Sequence, residues 1–396
     1  MSWPLVSIEE FCATGSGGTP SRKVPDYYTG DIPWIKSGDL REKEILQATE
    51  FISKIAVEKS SAKIVNKGTI LLAMYGATVG RMAMLGLDAA TNQAVCSISP
   101  IEGKAFPKYV YYALLNKMPD FLKNAVGGAQ PNISQRMIKQ TKIPLPPLEE
   151  QKRIAAILDK ADAIRCKRQQ AIKLTDQFLR SVFLDMFGDP VTNPKEWEKQ
   201  SIEHLSTRVT KGESPKWQGF DYQDQGVRFV TSENVLWGKL DDRKKYIPEG
   251  FHAKLSRSAL KEDDLLINLV GASVGRTCLV PKDGVPANIN QAVAVTTLVE
   301  TKIIPEFLLT QILTESIQRE LLGNVVDAAR ANISLKNIRE LTVIVPPVEE
   351  QRKYLKAVEK VATLNDKYQE ANELLLFESL TQQAFSGELT KQTVAA

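Results

Sequence analysis

The residues of this chain that could do chemistry are short polar and basic side chains held in glycine-containing loops. In one loop, Gly17-Gly-Thr-Pro-Ser-Arg-Lys23, small residues are followed by two cations. In another, Tyr75-Gly-Ala-Thr-Val-Gly-Arg81, the glycines permit close backbone approach and the arginine suits a phosphate or a guanine. Because such side chains hydrogen-bond to base edges and phosphates, these loops indicate nucleic-acid recognition.

Related loops occur in the second half of the chain. The stretch Ile35-Lys-Ser-Gly-Asp39 corresponds to Val230-Thr-Ser-Glu-Asn234, and polar residues 127–132 correspond to 327–332. We therefore predict a set of DNA-contacting side chains drawn from both halves. They are Thr19, Ser21, Arg22, Lys23, Lys36, Ser37, Tyr75, Thr78, Arg81, Gln130, Asn132, Ser214, Lys216, Thr231, Ser232, Asn234, Ser273, Arg276, Arg330 and Asn332.

Positions that differ between the two halves are expected to distinguish one DNA sequence from another. They are Arg22, Lys23, Lys36 and Gln130 in the first half, and Lys216, Thr231 and Arg330 in the second. The glycines and asparagines that both halves share have an alternative explanation, which is that they serve the fold alone. Asn132 and Asn332, for example, could cap the helices that follow them.

The chain lacks the residues that most catalytic and metal sites require. With two histidines, His204 and His252, and four scattered cysteines, neither a His-rich metal site nor a His-based triad is expected. No phosphate-binding G-x-x-x-x-G-K-[ST] loop, G-x-S-x-G elbow or Asn-Pro-Pro-Tyr methyltransferase tetrapeptide is present. A nuclease-like Glu150-x-Lys152 is better explained as a helix cap. We expect no catalytic residue, no metal and no cofactor.

The loops belong to a unit that the chain contains twice. Six short sequence words return in the same order, at spacings that drift only from 194 to 200 residues. The pairs begin at Trp3 and Trp197, Gly17 and Gly212, Gly76 and Gly271, Asn92 and Asn290, Asn132 and Asn332, and Pro146 and Pro346. Chance does not account for six matches in the same order, so they indicate a tandem duplication.

Within each unit a globular part precedes a helical part. The globular parts, residues 1–145 and 191–345, contain short apolar runs such as 69–75 and 264–270, which predict strands. Helices are predicted at 107–117 and 305–322. This mixture predicts an α+β (mixed α/β) fold class.

The helical parts, residues 146–190 and 346–396, each predict one long helix, over 147–187 and 347–385. Apolar residues recur every three or four positions, which is typical of a coiled-coil seam. The first seam comprises Ile154, Ile157, Leu158, Ala161, Ile164, Ala171, Ile172, Thr175, Phe178, Leu179, Val182 and Met186. The second comprises Leu355, Val358, Val361, Ala362, Leu364, Tyr368, Ala371, Leu374, Leu375 and Ala384.

Chain order constrains how these helices can pair. The second helix begins where the first one ends, so seams that pack on each other must run antiparallel. The globular parts then lie at opposite ends of a rod about 60 Å long, related by a pseudo-twofold axis, and the C-terminus returns beside the first of them. In the alternative arrangement, each helix packs on its own globular part as an ordinary core helix.

Composition limits the class of protein. The 396 residues are 43% hydrophobic and 25% charged, with 51 basic and 47 acidic residues, as in an ordinary globular protein. The two helices have opposite small net charges, so the net charge of +4 belongs to the rest of the chain. We see no signal peptide and no apolar run of about 18 residues, and the cysteines have no metal-ligand spacing. A cytoplasmic protein with reduced thiols and no membrane contact is therefore expected.

Three sequence words, together with the duplicated unit, resemble a known family. Pro-Pro-Leu-Glu-Glu-Gln151, Phe183-Leu-Asp-Met-Phe-Gly-Asp-Pro190 and Ala384-Phe-Ser-Gly-Glu-Leu389 are similar to words of the specificity (S) subunits of type I restriction–modification systems. The likeness covers the whole chain. It implies two target recognition domains, each followed by a conserved helix, with the two helices in an antiparallel coiled coil.

The resemblance also implies function and partners. It implies a non-catalytic subunit that binds a bipartite site in double-stranded DNA, one half per recognition domain, with helix length setting the gap. The implied partners are two modification subunits, which methylate adenine with S-adenosylmethionine, and ATP-driven restriction and translocation subunits. The alternatives are an enzyme, such as a fused methyltransferase or nuclease, and a coiled-coil scaffold or adhesin-like protein without a DNA role.

Overall fold

The computed structural model of the chain describes residues 3–125, 132–323, 332–369 and 373–389, with backbone alone at 364–369 and 373–376. The chain forms two compact units, Met1–Gln170 with Gln369–Ala396 (unit 1) and Ala171–Tyr368 (unit 2). Both contain mixed helices and sheets on a similar plan, so the predicted fold class and duplication are confirmed. No helix within the described residues combines the length and apolar character needed to cross a membrane.

Two main sheets form the globular part of unit 1, in the strand orders β2-β10-β7-β8-β4 and β5-β3-β9-β6, and β1 pairs with β11. The strands are β1 (Leu5–Ser7), β2 (Cys12–Ser16), β3 (Ile32–Ile35), β4 (Glu44–Ile45), β5 (Glu50–Ile52), β6 (Ile64–Val65), β7 (Ile70–Ala73), β8 (Met82–Leu85), β9 (Ala89–Thr91), β10 (Val95–Pro100) and β11 (Lys142–Pro144). The helices are α1 (Ile8–Phe11), α2 (Lys54–Glu58), α3 (Pro107–Lys123) and α4 (Gln135–Gln140). The strand predicted at 69–75 is β7, which is buried throughout.

Unit 2 repeats this plan with sheets in the orders β13-β19-β16-β17 and β15-β14-β18, and with the pair β12-β20. The strands are β12 (Lys199–Ser201), β13 (Ser206–Lys211), β14 (Val227–Val230), β15 (Tyr246–Ile247), β16 (Leu265–Asn268), β17 (Thr277–Leu279), β18 (Ala287–Ile289), β19 (Val293–Leu298) and β20 (Thr342–Ile344). The helices are α6 (Glu249–Lys254), α7 (Pro305–Ile312), α8 (Glu315–Leu321) and α9 (Leu335–Glu340).

The helical stretch predicted at 305–322 is interrupted near Thr314, so it forms two helices, α7 and α8. The side chain of Thr314 accepts a hydrogen bond from the backbone N of Ile317 (3.4 Å) and so starts a new helix.

The long helix α5 (Leu148–Phe187) has 40 residues and runs from unit 1 into unit 2. It begins as predicted, since the carbonyl of Pro147 accepts hydrogen bonds from Glu150 N and Gln151 N (2.9 and 3.0 Å). It ends at Gly188, whose φ of +77° is a conformation that favours glycine. The second helical part contains α10 (Val348–Gln369) and α11 (Glu373–Ser386).

Within unit 1, α11 runs antiparallel to the first half of α5. Arg165, midway along α5, lies over the ring of Phe377 (5.4 Å). Phe385, two turns later in α11, contacts Tyr109 (ring centroids 5.5 Å apart), whose hydroxyl donates to Pro144 O just before α5 begins (2.6 Å). Later residues of α5 therefore lie near earlier residues of α11, as in an antiparallel pair. The C-terminal helix returns to unit 1, as chain order predicted.

Within unit 2, the end of α5 and the start of α10 share one aromatic cluster. Phe183 and Phe187 are buried and contact Phe307 of α7, with a centroid distance of 4.9 Å for Phe187. Tyr354 of α10 contacts Phe183 (5.5 Å). The start of α5 likewise packs in the core of unit 1, through Ile154 and Leu158. Each helical part thus packs on its own globular part at its start, as in the alternative arrangement, and the end of α5 packs in unit 2.

The predicted seam of α5 needs a correction in its middle. Ile164 and Phe178, predicted to be seam residues, are 49% and 57% exposed. The neighbouring residue Arg165 is more buried than Ile164 and forms an ion pair with Asp162 (2.7 Å). A prediction from the spacing of apolar residues does not include a charged residue that is partly buried with its partner. The predicted seam residues Leu364, Tyr368, Ala371, Leu374 and Leu375 lie outside the described side chains.

Candidate nucleic-acid interface

The loops that carry the predicted residues of unit 1 converge on Asn92-Gln93-Ala94, which follows β9 and is termed the junction loop of unit 1. Backbone hydrogen bonds tie the ends of β2, β3 and β7 to this region, and a further bond adds the segment before α4. The bonds run from Gly18 N to Thr91 O (2.8 Å), Asn92 N to Ile35 O (3.0 Å), Met74 N to Ala94 O (2.8 Å) and Ile133 N to Met74 O (2.8 Å). The predicted residues are therefore gathered at one edge.

Unit 2 has the same edge around its own junction loop, Asn290-Gln291-Ala292. The bonds run from Asn290 N to Val230 O (3.0 Å), Leu269 N to Ala292 O (2.8 Å) and Ile333 N to Leu269 O (2.8 Å). The repeated Asn-Gln-Ala word was visible in the sequence as a match between halves. Its role as the meeting point of the loops depends on strand pairing, which the repeated word by itself does not reveal.

Two shared glycines make this convergence possible. A Cβ atom on Gly17 would lie 2.0 Å from the carbonyl oxygen of Thr91, and one on Gly212 would lie 1.7 Å from that of Ile289. Such distances are far inside van der Waals contact, so only glycine fits. These glycines serve the fold, which is the alternative that the sequence left open for shared residues.

The shared asparagines do not cap the helices that follow. Helix α4 is capped by Ser134, which accepts from Met137 N (3.1 Å), and α9 is capped by Ser334. Asn132 and Asn332 are both exposed beside the loops described above. Their predicted contact with DNA stays a prediction.

In unit 1, a carboxylate joins two of the predicted cations. Glu50 accepts hydrogen bonds from Arg22 (2.7 Å) and from Lys36. The hydrogen bond from Lys36 lowers the pKa of Glu50, partial burial opposes this, and Arg22 lowers it further. Glu50 is therefore an ionised partner at this edge, and the sequence did not predict it.

The remaining predicted residues of the first loop are exposed or bonded locally, and Ser37 of the stretch 35–39 is half-buried. Thr19 donates a hydrogen bond to Gln93 of the junction loop. Ser21 accepts one from Lys23 N (3.4 Å), and the Lys23 side chain is exposed. Ser37 lies at the start of a short turn, Ser37–Asp39.

The turn between β7 and β8 borders a groove in unit 1 that contains a second arginine. Tyr75 and Arg81 are exposed, Thr78 is half-buried, and a cavity of about 590 Å³ is lined by Arg81 together with Arg41. The Nε of Arg41 donates to Gly38 O (3.1 Å). Arg41 follows a predicted loop by two residues but is not among the predicted contacts.

The burial of two residues in unit 2 contradicts their predicted contact with DNA. Thr231 and Asn234 are only 6% and 3% exposed. Asn234 Oδ1 accepts from Thr231 N (2.9 Å), while its Nδ2 donates to Arg243 O (2.7 Å). Because their polar groups are used inside unit 2, these residues shape the loop instead of reaching outward.

The other predicted residues of unit 2 lie near the surface. Lys216 is exposed, and Ser214, Ser232, Ser273 and Arg276 are half-buried. Trp217, which is not among the predicted contacts, exposes 73% of its surface in the turn Pro215–Gln218. Gln130 and Arg330 lie outside the described residues.

The described residues hold no cluster of three or more His, Cys, Asp or Glu side chains suited to a metal ion. Burial raises the pKa of the thiols of Cys12, Cys96 and Cys278 to about 12, so these thiols stay protonated and unreactive. The chemistry that the arrangement can do is hydrogen bonding and charge contact at two similar loop edges.

Comparison with known proteins gives consistent likenesses. A family model described as "Type I restriction modification DNA specificity domain" matches residues 2–175 and again 194–375. The chain is 27% identical over 301 residues to the type I restriction enzyme MjaIX specificity subunit of Methanocaldococcus jannaschii, covering 70% of this chain and 69% of that one. It is 26% identical over 335 residues to the EcoBI specificity subunit of Escherichia coli, covering 77% and 70%. The type I restriction-modification S subunit from M. genitalium has a similar fold, with a TM-score of 0.56 at 15% identity over 97% of this chain and 96% of that one.

Proposed function

This chain belongs to the type I restriction-modification DNA specificity family, and we propose that it is the subunit that reads a bipartite site in double-stranded DNA. One observation carries the proposal. The same loop edge, built on a junction loop, occurs twice in one chain with different outward side chains. Two similar edges with different side chains suit a DNA site with two different halves.

The proposed division of labour follows the duplicated plan. Residues 1–145 and 191–345 are the two recognition domains, and residues 146–190 and 346–396 are the helical parts. Because α5 joins the two units, its 40 residues, about 60 Å of helix, set the gap between the half-sites.

The proposed partners are two modification (methyltransferase) subunits, with restriction and translocation subunits added to them. The support is on α5, where Leu174 and Phe178 expose 64% and 57% of their surface. Large apolar side chains on an exposed helix face are typical of protein contact sites. We propose that the chain supplies no catalytic group or cofactor and acts in the cytoplasm, where its thiols stay reduced.

The first experiment compares the chain alone with its complex. Methylome sequencing of a strain that expresses the locus identifies the split site. We expect the purified chain alone to transfer no methyl group. The complex with modification subunits should methylate and bind DNA that carries the site, with affinity falling steeply as salt rises. Methyl transfer by the chain alone, or a complex with no sequence preference, would contradict the proposal.

The second experiment exchanges residues 191–345 for the matching region of another specificity subunit. One half of the methylated sequence should change and the other half should be kept. The matched control exchanges residues 1–145, which should change the opposite half. If either exchange leaves both halves unchanged, the proposal of one reader per unit fails.

A further inference from the structure

Three charged side chains form a compact cluster at the loop edge of unit 1. Arg22 lies after β2, Lys36 after β3, and Glu50 at the start of β5. Glu50 is 2.7 Å from Arg22 and also hydrogen-bonded to Lys36. The side chain of Arg22 remains 59% exposed, whereas those of Lys36 and Glu50 are 33% and 30% exposed. Arg22 is thus the outermost member of the cluster.

An aromatic shelf holds Arg22 in a defined plane. Its guanidinium lies 4.1 Å from the ring centroid of Tyr28 and 5.6 Å from that of Trp34. The same two rings bind the loop backbone, since Trp34 Nε1 donates to Gly18 O (3.1 Å) and Tyr28 OH donates to Pro20 O (2.6 Å). The carboxylate and the shelf together limit the rotamers of Arg22, so less freedom is lost when it binds a ligand.

The equivalent positions of unit 2 carry different chemistry. Alignment of Pro20 with Pro215 places Trp217 at the position of Arg22, and alignment of β3 with β14 places Thr231 at that of Lys36. The strand pairs Ile32–Ile52 and Val227–Ile247 correspond, which places Lys245 at the position of Glu50. All three side chains differ on a shared backbone plan. This cluster is therefore a place where the chemistry of the two loop edges differs.

The carboxylate also distinguishes between two possible ligands of Arg22. Glu50 neutralises one of the two cations of the cluster, and a phosphate on the Arg22 guanidinium would lie close to this carboxylate, where like charges repel, so the attraction for a phosphate is weakened. The neutral edge of guanine, with O6 and N7 as acceptors, matches the arginine fork without this repulsion. The geometry thus favours a base over the DNA backbone.

Building on the proposed DNA-reading function, we propose that Arg22 contacts a guanine in the half-site read by unit 1 and that Glu50 is the residue that positions it. Glu50 does not touch the base in this arrangement. It orients the guanidinium and offsets part of the positive charge, which reduces attraction to DNA of any other sequence.

The test uses the chain in complex with its modification subunits and a DNA library randomised in both half-sites. Arg22→Lys keeps the charge but removes the fork, so discrimination at one base position of one half-site should fall by about 5- to 150-fold. Glu50→Gln should lower discrimination at the same base position and raise the affinity for non-cognate DNA. The matched control is Glu58→Gln on α2, an exposed carboxylate outside the cluster, which should leave all positions unchanged.

Unaltered reading of the other half-site by each variant shows that the chain is folded and assembled. If Arg22→Lys weakens binding to all DNA sequences equally and leaves the sequence preference unchanged, Arg22 contacts a phosphate and the guanine contact is overturned. If Arg22→Lys lowers discrimination at this base position but Glu50→Gln does not, the positioning role of Glu50 is overturned. A wild-type complex without any half-site preference would instead refute the proposed function itself, so the two failures are distinguishable.

Discussion

A buried amide explains why the Pro-Pro-x-Glu-Glu-Gln word occurs in both halves. Gln151 is fully buried near the start of α5; its Nε2 donates to Pro146 O (2.9 Å) and Lys104 O (3.1 Å), and its Oε1 accepts from Phe106 N (2.8 Å). Gln351 makes the matching bonds to Pro346 O (2.7 Å), Lys302 O (3.3 Å) and Ile304 N (2.9 Å). Each amide therefore fastens a long helix to the segment that starts α3 or α7.

Replacing Gln151 by leucine should destabilise unit 1 with little change in side-chain volume. The substitution leaves one buried N–H and two buried carbonyls without this partner, at a cost of about 1–3 kcal/mol. Urea unfolding of the chain measures the effect. Gln169→Leu, on an exposed position of the same helix, is the control and should change stability by less than about 0.5 kcal/mol. Equal effects of the two substitutions would show that the amide contacts contribute nothing.

At the residue scale, side-chain type predicts some of the residues at the loop edge, whereas others depend on strand pairing and burial. Arg22 and Lys36 were found because cations near small residues suit DNA. Glu50 could not be found in that way, since its contact with them depends on β5 pairing with β3, which sets Glu50 opposite Trp34. Thr231 shows the opposite failure, because its type suggests a base contact while burial assigns it to the loop.

At the scale of elements, an ionic network attaches α5 to the globular part of unit 1. Asp159 of α5 is bound by Lys43 (2.7 Å), by the hydroxyl of Tyr112 (2.7 Å) and by Lys108. Burial by itself would raise the pKa of Asp159, but the hydrogen bonds from Lys108, Lys43 and Tyr112 lower it to about 2. The charged form of Asp159 is therefore preferred in the folded chain.

This network should make stability depend on pH in a defined range. The folded pKa of about 2 lies below the ordinary value of 3.8, so the charge of Asp159 stabilises the fold above pH 3.8. The contribution is lost as pH falls from 3.8 towards 2. Asp159→Asn should lower the free energy of unfolding at neutral pH by about 1–3 kcal/mol. The difference from wild type should shrink over that range.

Asp176→Asn serves as the control for this experiment, because Asp176 is exposed on the same helix. Its unfolding free energy should follow that of the wild type at every pH. A constant difference between Asp159→Asn and wild type from neutral pH down to pH 2 would rule out the proposed charge contribution.

Helix ends were predictable from sequence, whereas the inward face of α5 was predicted only in part. Pro147 and Gly188 mark the ends through backbone effects that any sequence shows. The inward place of Arg165 depends on two tertiary partners, Asp162 and the ring of Phe377. These partners compensate for the partial desolvation of the guanidinium, and no apolar pattern contains that information.

At the scale of the whole molecule, the duplication was predictable because the repeated words encode backbone requirements. Gly17 and Gly212 permit close approach, and Gln151 and Gln351 fasten the long helices. Such requirements tolerate few substitutions, so they stay visible after the outward side chains have diverged. The letters of the half-sites depend on those outward side chains, and the sequence does not reveal them.

Helix α5 is the continuous element between the two units, so lengthening it should lengthen the gap between the half-sites. Seven residues inserted between Gln170 and Ala171, with a matching heptad after Tyr368, preserve a coiled-coil register and lengthen the helix by about 10.5 Å. At about 3.4 Å of DNA axis per base pair, the gap between half-sites should grow by about three base pairs. The letters of both halves should stay the same, because neither loop edge is altered. Methylome sequencing reads both quantities at once. Replacing residues 171–177 by the same heptad, without lengthening, should leave the gap unchanged. Altered letters with an unaltered gap would mean that α5 takes part in reading the bases and does not set their separation.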